Sequence, residues 1–398
     1  MTSRDPHVDP NPFAAEAKRP ERLFTFKAGG WIVLFSALVM TALAIWAIAP
    51  ALYRAATRPP GDGRTVESYQ FDLGNLTVSR ETIVPALLHR DMVPVMEEPE
   101  ILTVAGVQRI AEEERGRFLV PTDRVVGVEI NGEARAYPLM LLNVHEVILD
   151  TLGGVPIAVT YSWTSDSFRV FDRRLEGEVL TLGVSGLLWN ANTLLYDRRP
   201  PEPGEEETPH IERGESLWSQ ITTNAISGPA ADHERALRTI PFQFVSWKQW
   251  REMHRETTVV ARQPHLIKRY RRASPDTYFE SEEFRYPATP MPEDQPEIGL
   301  GRKDRVLVLW RRDAPETRVV YPIKLIADRA EEISADLARW EHEPFDGIAV
   351  TFDYEGATRT VGVHSEHDLE WTRTLWFTWY AAHPEDRVIE RALERVDD

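Results

Sequence analysis

The sequence predicts a β-rich α+β protein: two related mixed β units, the second shortened, behind one N-terminal transmembrane helix. Three observations carry this. An uncharged stretch runs from Ala28 to Tyr53, and short apolar runs separated by turn signals fill most of the remaining chain. A set of landmarks then recurs in the same order on either side of residues 274–299. The 398 residues, 42% hydrophobic and 27% charged, are too apolar for a disordered chain and can bury a sizeable core.

Taken in order, residues 1–30 are a polar, Pro-rich tail. Residues 31–50 are long enough to cross a hydrocarbon layer of about 30 Å as a helix. Trp31 and Trp46 stand towards its ends, where amphipathic rings favour the interface. A cleaved signal peptide would carry an apolar region of only about 7–15 residues, so an uncleaved single-pass anchor in the cell membrane is expected. Lys18, Arg19, Arg22 and Lys27 precede the helix, and Arg54, Arg58 and Arg64 come after it. The one-residue excess favours a tail inside and a C-terminal domain outside the cytoplasm.

Residues 51–80 read as a linker and 81–273 as the first β-rich unit. Asn131-Gly132 separates two strand-like runs within 125–139, the strongest local hairpin cue. Residues 155–163 and 168–174 flank a short turn as a second hairpin, and 179–197 supplies one or two further strands. Helices are expected over 104–115, 247–255 and 330–340. Residues 198–215 read as an acidic surface loop, 274–299 as a second linker, and 300–398 as the shorter unit.

The relation between the units rests on paired landmarks. Asp123-Arg124-Val125-Val126 leads to Tyr137-Pro138, as Asp304-Arg305-Val306-Leu307 leads to Tyr321-Pro322. Val155-Pro156-Ile157-Ala158-Val159-Thr160-Tyr161 is echoed by Gly347-Ile348-Ala349-Val350-Thr351-Phe352. A W-x-x-W-x-x-x-H frame occurs as Trp247, Trp250, His254 and again as Trp376, Trp379, His383. Residues present in both copies are expected to be architectural, so the four tryptophans read as core and the two histidines as structural.

Composition removes several chemistries. With no Cys there are no disulfides, no Cys-ligated zinc, no iron–sulfur cluster and no thiol nucleophile. A formal charge of -17 argues against nucleic acid, whose binding depends on Lys and Arg neutralising phosphates. No phosphate-binding glycine loop is present, and no cofactor is expected. His145-Glu146 has no counterpart in the second unit and is the candidate catalytic pair for acid–base work. It is not the H-E-x-x-H zinc pattern, because Leu149 stands where the second His belongs. His364-Ser365-Glu366-His367-Asp368 reads as a solvated turn, and no metal is assigned. Gly183-Val184-Ser185-Gly186 is not a nucleophile elbow, since Leu187 stands where Gly is required. Ser185, Asn190, Asn192, Asp197, Trp218 and Gln220 lie in otherwise apolar runs and must find partners. They are the candidate ligand-binding residues, with an internal hydrogen-bond network as the alternative.

These segments together resemble the domain of unknown function 3179 family of bacterial and archaeal proteins. The carriers are RDMVPVMEEP (90–99), VVGVEINGEARAYPL (125–139), HEVILDTLGGVPIAVTY (145–161), SGLLWNANTLLYDR (185–198), SLWSQIT (216–222) and SWKQW (246–250). The resemblance spans roughly residues 90 to 261 and is weaker beyond. Many members continue their Thr-Tyr with Cys-x-x-Cys-Gly, at times with selenocysteine, which implies thiol redox or metal chemistry there. In this chain Ser162 and Ser165 fill the sulfur positions, and a hydroxyl has neither the pKa nor the redox range of a thiol. The family's His-Glu is kept as His145-Glu146, whereas its subsequent Asn-Asp appears as Leu149-Asp150.

Two functions remain open at this point. One is a membrane-anchored, extracytoplasmic binding or assembly module with a protein partner in the envelope. The other is an enzyme, hydrolytic in type, using His145, Glu146 and Asp197 around a pocket.

Overall fold

A computed structural model describes residues 30–56, 59–113, 118–200, 210–273, 275–333 and 336–390. The polar tail, the end of the predicted 104–115 helix and the middle of the acidic loop lie outside these residues. Contacts divide the chain into Met1–Arg58 and Pro59–Asp398. In the first unit, Gly30–Ala56 is one helix, and its span Trp31–Pro50 is long and apolar enough to cross a membrane.

The second unit is β-rich α+β with mixed sheets. Arg124–Ile130 and Glu133–Pro138 pair antiparallel around the Asn131-Gly132 turn, and Leu139–His145 continues as a short helix. Pro138 ends the strand naturally, since it cannot donate to the ladder. Gln243–Ser246 pairs antiparallel with strand 124–130, and helix Trp247–Met253 then carries the chain over to Thr258–Val260, which pairs parallel with strand 133–138.

The later residues repeat this order. Arg305–Arg311 pairs antiparallel with Ala314–Pro322, helix Ile323–Ile333 comes next, and Leu369–Leu375 pairs antiparallel with strand 305–311. Helix Trp376–Ala382 then leads to Arg387–Val388, parallel to strand 314–322. The registers agree: Val126 faces Tyr137 as Leu307 faces Tyr321, and Ser246 faces Arg124 as Leu375 faces Arg305. The four frame tryptophans are 2% exposed or less. Trp250 Nε1 donates to Thr257 Oγ1 and Trp379 Nε1 to Asp386 Oδ2, both at 2.8 Å. His254 and His383 lie against those rings, with centroids 4.1 and 4.5 Å apart.

Each half also contains a three-stranded antiparallel meander, Val147–Leu152, Val155–Ser162 and Ser167–Asp172 in one, Leu337–Phe345, Ile348–Glu355 and Thr360–His364 in the other. The meanders cross over. Strand 360–364 pairs with strand 243–246 through Val361 and Phe244, joining the later meander to the earlier sheet. Strand 167–172 lies against strand 369–375, where Thr372 Oγ1 donates to the Phe168 carbonyl. One core therefore draws on both halves: Phe168 stacks on Phe244 at 4.5 Å, and Phe242 lies 4.5 Å from Trp371.

Three stretches differ in detail from expectation. Helix 330–340 is corrected: the helix ends at Ile333, and Leu337–Trp340 begin a strand. Asp346-Gly347 closes that strand onto the next in a two-residue hairpin, with Gly347 at φ +71°. Within 51–80, Val66, Tyr69 and Phe71 are buried in a core with Trp189 and Leu217. Within 274–299, Asp276–Glu280 is a helix and Tyr278 is buried.

Gly127 shows how tightly the frame is packed. A Cβ there would overlap the ring of Trp250. Gly127→Ala is expected to lower stability by about 1–3 kcal/mol through overpacking, read as a shift in the urea midpoint of the detergent-solubilised protein.

Candidate functional site

Short polar side chains of the first half converge where the 155–162/167–172 turn meets Asn192–Asp197 and residue 220. Asn192 Nδ2 reaches Ser165 Oγ at 2.9 Å, Ser167 Oγ at 2.8 Å and Gln220 Oε1 at 2.9 Å. Ser167 Oγ donates to Gln220 Oε1 at 2.7 Å, and Gln220 Nε2 donates to Thr160 Oγ1 at 3.2 Å. Ser162 Oγ accepts from the Thr193 amide at 3.0 Å and lies 3.1 Å from the hydroxyls of both Thr193 and Thr164. Thr164 Oγ1 donates to the Ala191 carbonyl at 2.6 Å. These residues are all 4% exposed or less.

Glu146 joins the network from the end of helix 139–145. Its backbone turns at φ +55°, held by its amide to the Leu142 carbonyl and by its carbonyl to the Tyr161 amide. The side chain is wholly enclosed, with Oε2 3.2 Å from Thr193 Oγ1. Burial raises its pKa to about 7 against the smaller lowering effects of Thr193 and Trp163.

His145 faces another way. Its Nδ1 lies 2.6 Å from the Pro94 carbonyl and its Nε2 2.8 Å from Tyr270 Oη. A carbonyl can only accept, so Nδ1 carries the proton and Nε2 accepts from the tyrosine. Burial lowers the His145 pKa, with Arg269 and His265 adding to the effect and the Pro94 carbonyl opposing it. No hydrogen bond joins the His145 and Glu146 side chains among the described residues.

The remaining candidates are placed separately. Ser185 sits at a bulge in strand Leu182–Trp189, where its Oγ donates to the Leu194 carbonyl and accepts from the Leu187 amide, and Gly186 takes φ +83°. Asn190 opens the next hairpin turn at φ +48° and accepts from the Thr289 amide at 3.0 Å. Asp197 accepts from the Ser216 amide at 2.6 Å, Trp218 Nε1 at 3.2 Å and Arg199 Nε at 3.0 Å. Burial raises the Asp197 pKa in spite of these bonds. Thr193 and Asp197 are four residues apart on one strand, about 13 Å, so Asp197 stands well away from the Thr193–Glu146 contact. In the 364–368 loop His364 Nε2 lies 3.2 Å from Asp353, and among the described residues no His/Asp/Glu group is placed to hold a metal.

The structure thus brings Glu146, Ser162, Ser165, Asn192 and Gln220 into one network, and leaves His145, Ser185, Asn190, Asp197 and Trp218 at other positions. Sequence reasoning missed Thr160, Thr164, Ser167 and Thr193, although the polar run Ser162–Ser167 between two apolar strands was the available signal. It also missed Asp166, which accepts from Tyr161 Oη at 3.1 Å and from Arg305 Nε at 2.6 Å.

The family described as "Protein of unknown function (DUF3179)" matches residues 90–386, a span that includes the whole network. The chain belongs to this family. The match to the domain of unknown function 3179 family continues through the second aromatic frame, well past residue 261. Comparisons with curated proteins and with solved structures return no match.

Proposed function

We propose that this member of the family is a single-pass membrane protein whose β-rich part lies outside the cytoplasm and binds or assembles with a protein partner of the cell envelope. The observation that carries the reading is how the candidate polar groups are used. His145, Glu146, Asn192, Asp197 and Gln220 are each 4% exposed or less, and their side chains bond to this chain itself. A network spent on internal partners fixes a fold and leaves recognition to the surface. The apolar helix and the Lys/Arg excess before it support the anchor and its orientation.

The reading includes an internal duplication. Its support is the shared strand order, the matching registers and the two equivalent Trp–His pairs. On this view the second copy lost the 185–192 and 216–220 segments that build the network, and the first copy kept them.

The test is cross-linking in intact membranes and then purification of the tagged full chain. One discrete partner at near-stoichiometric yield, retained by a folded His145→Gln/Glu146→Gln variant, is the expected result. Hydrolysis of an ester, phosphoester or peptide panel that this variant abolishes would instead establish the enzyme.

A further inference from the structure

The molecule is acidic overall, yet one cleft of about 400 Å³ is ringed by cations. It opens where the two halves meet, with Arg124 from the first and Lys303, Arg305, Lys324, Arg359 and Arg373 from the second. Arg124 and Arg305 hold equivalent places, each opposite the last residue of the strand beside it, Ser246 or Leu375. Asp276, Glu280 and Asp304 are the carboxylates of the rim, and the buried Asp166 lies behind, paired with Arg305 and Arg373.

Pairing separates this cleft from the cationic cleft beside Trp310. Around Arg169 and Trp310, the surface cations are matched: Arg312 to Asp368 and Glu370, Arg318 to Asp386, Arg238 to Asp172. In the first cleft the side chains of Arg124, Lys324 and Arg359 make no hydrogen bond or ion pair among the described residues. Arg373 lines the same space at 3% exposure, and its Nε has no hydrogen-bond partner there. Burial, helped by the charges of Arg305 and Arg124, pulls the Arg373 pKa down to about 10 against the pull of Asp166. Asp166 serves Arg305 and Arg373 together, so the cations of the cleft outnumber their ion-pair partners. One wall is apolar, formed by Phe279, Ile323, Ala327 and the ring of Tyr354.

We propose that this cleft binds a small organic oxyanion, a phosphate or carboxylate group on an apolar body, with Arg124, Arg359 and Arg373 gripping the charged end. Planar guanidinium forks match the oxygens of both groups, and the apolar wall takes the remainder. The site is independent of the envelope partner: it would stand if no such partner were found.

The test is isothermal titration of the detergent-solubilised full chain with phenyl phosphate, benzoate and inorganic phosphate. Phenyl phosphate or benzoate is expected to bind with a Kd of about 1 mM or tighter, above inorganic phosphate in affinity, and to weaken as salt rises. Arg124→Gln/Arg359→Gln, at two side chains without partners, is expected to weaken binding at least about tenfold with the thermal midpoint unchanged. Lys248→Gln/Arg251→Gln, on the separate basic helix surface, is expected to leave affinity as it was. A short-chain phosphatidic acid that outcompetes phenyl phosphate would assign the site to lipid phosphate, and the reverse order to a soluble ester. Absence of binding by every probe, or equal affinity in the Arg124/Arg359 variant, would overturn the proposal.

Discussion

Arg90→Ala is expected to destabilise the β-rich unit by about 3–5 kcal/mol, because it leaves a buried carboxylate and two carbonyls without their donor. Arg90 is 1% exposed. Its Nε donates to the Tyr69 carbonyl at 2.5 Å, its Nη2 to the Gln70 carbonyl at 2.6 Å, and its Nη1 pairs with Glu215. The guanidinium also stacks 3.6 Å from the Phe71 ring centre. Burial lowers its pKa, and Glu215 acts against that, so the pair offsets part of the cost of burying the charge. Removing the whole pair is different from breaking it. Arg90→Met/Glu215→Leu is expected to recover most of the loss, since no ion is then stranded. Urea unfolding monitored by Trp fluorescence measures both variants, and equal losses in the two would show that the carbonyl bonds and the ring contact, not the ion pair, hold the segment.

Arg90 also shows what the sequence could and could not display. The Pro/Gly/polar composition of residues 51–80 describes a linker, and nothing local reveals that Tyr69 and Gln70 turn their carbonyls to a buried arginine. Hairpins were legible where the cue is local: Asn131-Gly132 fixes one turn, and the period-2 run ending at Ser162 fixes one strand. For 330–340 two local signals compete. The Ala/Glu-rich composition favours helix, yet Asp346-Gly347 announces the hairpin whose nine-residue strand takes Leu337 onward. The crossing of the meanders rests on contacts such as Val361 with Phe244, more than a hundred residues apart, which no periodicity records. In the candidate site the residue types were visible and the partners were not. Asn190 and Asn192 look alike in sequence, but a two-residue turn sends one towards Thr289 and the other towards Gln220.

The pH dependence of stability is expected to contain a component of about 3 kcal/mol that belongs to Glu146. Its pKa rises on folding from the ordinary 4.5 to about 7 because burial outweighs its hydrogen bonds. The folded state holds the proton more tightly, so the stabilisation is fully present below pH 4.5 and is lost as pH rises to 7 and beyond. Glu146→Gln removes the titration, and the difference in stability between the two proteins should therefore change by about 3 kcal/mol in the variant's favour from pH 4.5 to 8. Any packing effect of the amide itself only shifts that difference uniformly. A flat difference would mean that the carboxyl meets solvent. Thr193 Oγ1 donates to Glu146 Oε2, a bond that favours the carboxylate and works against the effect of burial. Thr193→Val removes that donor, so the Glu146 pKa should rise further and the pH-dependent component should grow, whereas Glu146→Gln abolishes it.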